Sequence, residues 1–342
     1  MPVDTTPTPL PPEIENELET FRQRFLHLEA EVAKIMVGQE DIVRNTLTAI
    51  LAGGHVLLEG VPGLGKTLLV KTISEALDLN FGRVQFTPDV MPADLIGTKM
   101  FVDEGPGKSR FEFSRGPLFT NLLLGDEINR ASPKTQSALL EAMQERAVTV
   151  GGETHILEAP FFVLATQNPL EQEGTYPLPE AQLDRFLFKL EVPYPSFDEF
   201  DNILERTTGE AATTLTPVFD GHELTRMSRL ARKIPVPPTV RRRVVELIMA
   251  THPETEFATD EVKKWVRFGA SPRAGQACLL AAKIRAIREG RVYVATEDIL
   301  AYAVPILNHR VLLNFEAQAD GVSTTHILKN LINTKKDQWK NA

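Results

Sequence analysis

Eight consecutive residues, Gly60-Val61-Pro62-Gly63-Leu64-Gly65-Lys66-Thr67, constrain this chain more than any other stretch. They fit the phosphate-loop pattern G-x-x-x-x-G-K-[ST], which belongs between a strand and a helix. Both flanks comply. Val56-Leu57-Leu58 is the continuous apolar run of a buried strand. Beyond the loop, Leu69, Val70, Ile73, Ala76 and Leu77 recur at helical spacing. The glycines let the backbone turn tightly and aim its N–H groups at an anion, and the following helix adds the positive end of its dipole. Lys66 can reach the outer phosphates and the Thr67 hydroxyl can ligate Mg²⁺. The fold class expected is α/β.

Further strands follow the same logic. Arg83 to Phe86 is the second, and Leu122-Leu123-Leu124-Gly125-Asp126-Glu127 the third. An unbroken apolar run is what a parallel strand buried on both faces requires. Its two carboxylates then fall where ligands bind in open α/β sheets. Asp126 can hold the Mg²⁺ shell together with Thr67. Glu127, one residue on, points differently and can polarise an attacking water. Phe161 to Ala165 is the fourth strand, and Asn168 lies just past its end. Its amide can hold a water in line, or it can simply start an Asn-Pro turn with Pro169; spacing does not choose. Phe186 to Val192 is the fifth.

Residues 87–117 break this rhythm with prolines and glycines, and Met100–Val102 and Phe111–Phe113 flank a polar turn as a hairpin beside a short helix. Val148–Val150 and His155–Leu157, around Gly151-Gly152, form a second hairpin. Residues 1–12 are rich in proline and threonine, a composition of disordered tails; with the large domain counted from 21 to 206, the tail extends over 1–20. A helical pattern spans 13–36 and a second 41–52. Residues 207–222 look like a linker. Helices are expected at about 223–233, 239–252, 259–268, 273–289, 296–306 and 322–333, a helical domain over 223–335.

The formal net charge of −9 argues against a general nucleic-acid binder. No apolar run approaches a membrane span, no signal-peptide pattern is present, and the one cysteine, Cys278, reads as a buried small hydrophobe, so a cytoplasmic location is expected.

Together these strings resemble the MoxR-type AAA+ ATPases: VGQ at 37–39, GVPGLGKT at 60–67, GDEINRASPKTQSALLEAMQE at 125–145, ATQNP at 165–169, LPEAQLDRF at 178–186 and GASPRA at 269–274. The likeness runs from about residue 20 to the end. It implies an AAA+ P-loop core with a parallel five-stranded sheet in the order 5-1-4-3-2, plus a C-terminal all-helical lid. It implies ATP and Mg²⁺ as cofactors, with Val37, Gly38, Gln39, Pro62, Gly63, Leu64, Gly65, Lys66, Thr67, Leu68 and Asp126 around the nucleotide, and Thr67 and Asp126 toward the metal. By the same likeness Glu127 is catalytic, Asn168 is sensor 1, Arg185 an arginine finger reaching a neighbour's site, and Arg273 sensor 2. The likeness also implies a neighbour contact for Arg130. One departure is Gly125, where a bulkier residue is more usual.

Residues 98–114 and 147–158 then match hairpins that face a central channel in related assemblies. The family implies a homo-oligomeric ring, usually hexameric, a von Willebrand A domain partner, and a protein client that the ring remodels. A DNA translocase is the alternative; it calls for basic hairpin tips, whereas one tip is Gly151-Gly152-Glu153-Thr154 and the other offers only Lys108 and Arg110. A non-hydrolysing scaffold would not require the acid pair.

Overall fold

The computed structural model describes residues 11–103, 109–170, 174–209 and 214–340. Strands β1 (His55–Glu59), β2 (Phe81–Gln85), β5 (Leu122–Asp126), β8 (Phe162–Gln167) and β9 (Phe186–Glu191) form one five-stranded sheet in the order β2-β5-β8-β1-β9. In core-strand numbering this is the expected 5-1-4-3-2. β1, β5 and β8 are buried along their length and surface only at Glu59, Asp126 and Gln167. Apolar residues on both faces force helices onto both sides, and the part-exposed polar residue that ends each of these strands marks the sheet's carboxyl edge.

The chain divides into two compact units. One comprises Leu28–Arg185 with Leu190–Thr225. Helices α2 (Glu40–Ala52), α3 (Lys66–Ala76) and α5 (Pro133–Glu145) bury Leu47 and Ile50, Val70 and Ile73, and Leu139 and Leu140. Hairpin β3 (Gly97–Asp103)/β4 (Ser109–Arg115) follows the short helix α4 (Pro92–Ile96), as expected; its turn, with Lys108, lies outside the described residues. Hairpin β6 (Ala147–Val150)/β7 (Glu153–Ile156) turns through Gly151 and Gly152, both at positive φ. Lys99 pairs with Glu153 at 2.9 Å and Phe113 stacks on His155, so the two hairpins touch.

The other unit comprises Met1–His27, Phe186–Lys189 and Arg226–Ala342. Buried Arg310 donates to the carbonyls of Phe186 at 2.6 Å and Leu187 at 3.2 Å, and Phe188 stacks on Tyr302. Helices α9 (Pro238–Met249), α11 (Pro272–Arg288) and α15 (Thr324–Lys340) dominate it. Two expectations are corrected here. The helix expected over 259–268 stops as α10 (Asp260–Trp265), and Val266–Phe268 (β10) pairs antiparallel with Leu312–Leu313 (β11), so the helical lid carries one small ribbon. The helix expected over 296–306 breaks at Tyr302 into α12 (Thr296–Ala301) and α13 (Ala303–Leu307). Pro305 has no N–H to give Ala301 and crowds its carbonyl.

At the other end, α1 (Pro12–Ala33) is helical from Pro12, so a tail extending to residue 20 is corrected; residues 1–10 lie outside those described. The linker segment 207–222 overlaps α7 (Phe197–Thr208) and α8 (Gly221–Arg232), with 210–213 also undescribed. Cys278 is fully buried and its thiol is pushed up to about 12 by that burial, which fits a packing residue. No helix among the described residues is long and apolar enough to cross a membrane.

His55 opens β1 from inside the core. Its Nδ1 accepts the Val163 N–H at 3.0 Å and its Nε2 lies 3.2 Å from the Met143 carbonyl, so the neutral ring satisfies both. Burial lowers its pKa to about 4. Below about pH 6.5 the unfolded chain takes up a proton that the folded one refuses until about pH 4, so this stability is complete above 6.5 and is lost as pH falls. Between pH 7.5 and 5 His55 alone should cost roughly 2 kcal/mol. Buried His309, held well below its ordinary value by the same desolvation, adds to the slope. Denaturant titrations at the two pH values check this. A flat profile in wild type, or a His55→Gln variant as steep as wild type, would contradict it.

Candidate nucleotide site

The site gathers where the sheet's carboxyl edge meets the loop before α3. Register explains the gathering. β1 pairs with β8 so that Glu59 faces Gln167, and the Gly60 N–H continues this by donating to the Gln167 carbonyl at 3.2 Å. β5 lies on the other side of β8, with Gly125 opposite Ala165. The loop, the acid pair and Asn168 are therefore brought side by side from three separate stretches. Gly125 itself is explained by contact: a Cβ there would stand 3.1 Å from the ring of Phe86, which is fully buried.

Gly63 and Gly65 adopt φ of 86° and 74°, values that side chains resist. Gly65 caps α3 without any side-chain hydrogen bond, so the helix start offers its N–H groups to a ligand. The Lys66 ammonium folds onto the loop, donating to the carbonyls of Gly60 and, at 3.2 Å, Val61. Burial lowers its pKa, while the Asp126 and Glu127 carboxylates oppose the shift. A half-buried ammonium on neutral carbonyls, an uncapped helix start and open space around Gly63 form a donor set suited to a polyphosphate.

Val37, Gln39, Pro62 to Gly65 and Leu68 line a cavity of about 470 Å³, closed on the other side by Tyr194, Phe200, Ile203 and Thr207. Its size and apolar walls suit a nucleobase and sugar. Gly38 and Gln39 are successive left-handed residues. The turn is held by the Glu199 carboxylate, which accepts the Gln39 N–H, and by Gln39 Nε2, which donates to the Leu64 carbonyl at 3.3 Å. Sequence reasoning missed the α7 wall altogether. Its signal was Ser196 and Glu199, a capping box three residues apart, in which Ser196 Oγ accepts from Glu199 N and Glu199 Oε2 from Ser196 N.

The acids are tied differently. Asp126 accepts from Arg83 at 2.8 Å on Oδ2 and from Thr166 Oγ1 at 2.6 Å on Oδ1. Glu127 uses Oε2 for both Gln85, at 2.8 Å, and Arg130, at 3.0 Å. Arg130 thus contacts its own chain's acid. Asn168 is buried, and its Oδ1 accepts the Leu170 N–H at 3.1 Å, so the turn-forming alternative is real; among the described residues its Nδ2 meets no acceptor and can still meet a water. Arg185 is half-buried just before β9, and among the described residues its guanidinium makes no hydrogen bond or ion pair. Arg273 belongs to the other unit, exposed in the first turn of α11, where Ser271 Oγ accepts its N–H.

Comparison with known proteins agrees with this geometry. The profile for the ATPase family associated with various cellular activities (AAA) matches residues 55–188, and an AAA lid domain matches 259–331. The chain is 43% identical to the chaperone MoxR1 of Mycobacterium tuberculosis over 89% of its own length and 80% of that protein's. The chain belongs to the MoxR family of AAA+ ATPases. It is also 32% identical to the protein MoxR of Methylorubrum extorquens, covering 86% and 90% of the two chains. A crystal structure of a candidate ATPase from Cytophaga hutchinsonii superposes with a TM-score of 0.86 at 41% identity, covering 93% of this chain and 96% of that one. As a MoxR-family AAA+ protein it binds nucleotide and hydrolyses ATP.

Proposed function

We propose that this MoxR-family ATPase works as a Mg²⁺-dependent homo-oligomeric ring, hexameric by family habit, that remodels a protein client together with a von Willebrand A domain partner. The chaperone named among its relatives supports the client. Thr67 and Asp126 would hold Mg²⁺, which when bound neutralises charge on the phosphate oxygens. Lys66 and the start of α3 grip the phosphates. Glu127, through its uncommitted Oε1, takes the proton of the attacking water, and Asn168 holds that water in line. Arg273 is the lid's contribution.

The observation that carries the ring is Arg185. A half-buried guanidinium with no partner among the described residues of its own chain is suited to lend its charge to a neighbour's phosphates. Client handling draws on the β3/β4 hairpin, whose Phe101 and Phe111 pair across the strands yet stay 63% and 71% exposed. The β6/β7 tip carries no basic residue of its own, and the Lys99 beside it is neutralised by Glu153, which weighs against DNA.

Mixing subunits tests the ring. Arg185→Ala and Lys66→Ala chains should each be inactive alone, and an equimolar mixture should recover a measurable share of wild-type ATPase activity, because some interfaces join an intact loop to an intact arginine. No recovery at any mixing ratio would refute a shared site. Affinity capture with Glu127→Gln and ATP should then retain the client and the von Willebrand A protein.

A further inference from the structure

We propose that Thr166 is the positioning residue of the acid pair: one buried hydroxyl fixes where both carboxylates stand. This rests on the roles proposed above for Asp126 and Glu127. Thr166 is 1% exposed near the end of β8. Its Oγ1 donates to Asp126 Oδ1 at 2.6 Å and accepts the Glu127 N–H at 2.9 Å. A hydroxyl has a single hydrogen, and it goes to the aspartate; the amide then takes a lone pair.

The backbone shows why such a group is required. The β5–β8 ladder runs in register from Leu122 opposite Phe162 to Gly125 opposite Ala165. At the next step β5 parts from β8, with Asp126 still paired to Gln85 of β2, and Glu127 then turns to φ 58° and ψ 50°, the left-handed region that non-glycine residues avoid. Such a residue persists where its surroundings over-determine it. Here the Thr166 hydroxyl receives the N–H that the ladder no longer serves. The turn it holds brings the two adjacent carboxylates onto one linked pair of β2 side chains: Arg83 donates to Asp126 Oδ2 and, at 2.9 Å, to Gln85 Oε1, and Gln85 donates to Glu127 Oε2, which Arg130 also reaches. The same hydroxyl orients the Asp126 carboxylate, leaving Oδ2 to Arg83. One side chain on the neighbouring strand thus couples the geometry of the metal-side acid to that of the water-side acid. Valine fills the same space but provides neither bond; serine provides both.

Three variants, Thr166→Val, Thr166→Ala and Thr166→Ser, are compared with wild type in the full chain. Thr166→Val should lower kcat about 30-fold while KM for ATP stays within about threefold, the scale seen when a supporting partner of a metal-side ligand is removed. A readout without turnover accompanies it. Binding of a fluorescent ATP analogue in EDTA should match wild type, because the phosphate loop is untouched, whereas Mn²⁺ binding to the analogue complex, followed by electron paramagnetic resonance, should weaken about tenfold. Thr166→Ser should restore both readouts to within about threefold. Thermal melts establish that each variant folds, and Thr166→Ala takes the place of Thr166→Val if the latter does not. A folded Thr166→Val or Thr166→Ala with wild-type kcat and Mn²⁺ binding overturns the proposal, and so does a folded Thr166→Ser as impaired as they are. If wild type itself neither turns over ATP nor binds Mn²⁺ with the analogue, the reading of the acid pair fails first and takes this inference with it.

Discussion

Glu127→Gln should bind ATP as wild type does and hydrolyse it 10²- to 10⁴-fold more slowly, the range a general base supplies. The geometry makes this substitution a clean one. Gln85 and Arg130 both reach Glu127 through Oε2, and a glutamine carbonyl can accept the same two bonds. The left-handed backbone and the Thr166 contact involve only main-chain atoms of residue 127 and are kept. What disappears is the capacity to take a proton from water. Lys66 loses one of the two negative charges that counter its desolvation, which affects its affinity for phosphate far less than removing the ammonium would. Equilibrium binding of a fluorescent nucleotide and steady-state phosphate release, measured on the same sample, check the split. Turnover within threefold of wild type would remove Glu127 from the role of base. A matching collapse of binding would show that the variant perturbs the loop rather than the chemistry.

Most of this site was legible in the sequence because its parts are backbone devices. Gly63 and Gly65 stand at positive φ, Lys66 follows them, and the apolar runs of β1, β5 and β8 each end on the polar residue that surfaces. Periodicity and glycine spacing report such features directly. The portions that stayed hidden depend on contacts between distant stretches. Thr166 is a threonine in a strand, an ordinary residue for that setting, and only the register with β5 reveals its two bonds. Tyr194, Phe200 and Ile203 close the base cavity from a helix and its approach, whose apolar stripe reads as plain amphipathicity. The ribbon of β10 and β11 joins Val266 to Leu313 across nearly fifty residues, so the local helical pattern at 259–268 gave no sign of where it stops. Gly125 looked like an oddity until the Phe86 ring explained it.

Asp298→Ala should destabilise the helical unit by about 3 kcal/mol. In the sequence Asp298 reads as a first-turn acid of an ordinary helix, yet it is completely buried. Its carboxylate accepts the Ala295 N–H at 2.8 Å, Arg285 at 2.7 Å, and Arg291 through two bonds at 2.5 and 2.6 Å. Forming such a cluster adds little net stability, because two guanidiniums and a carboxylate all lose water. Removing the carboxylate is another matter: both arginines stay half-buried without their hydrogen-bonded counter-charge, only Glu297 and Glu289 acting on Arg291 through space, and a capping bond is lost as well. Their side chains keep 27% exposure, so some rehydration holds the cost toward the low end of what a fully buried broken pair incurs. Asp298→Asn, which keeps one acceptor oxygen, should lose less than Asp298→Ala. Hydrogen exchange locates the effect. Amides of α11 and α12 should lose protection in Asp298→Ala, while those of β1, β5 and β8, which belong to the other unit, keep theirs. A denaturation midpoint shifted by less than the equivalent of about 0.5 kcal/mol would mean that the arginines find other partners, and the cluster would then be an incidental arrangement rather than the clamp that joins α11 to α12.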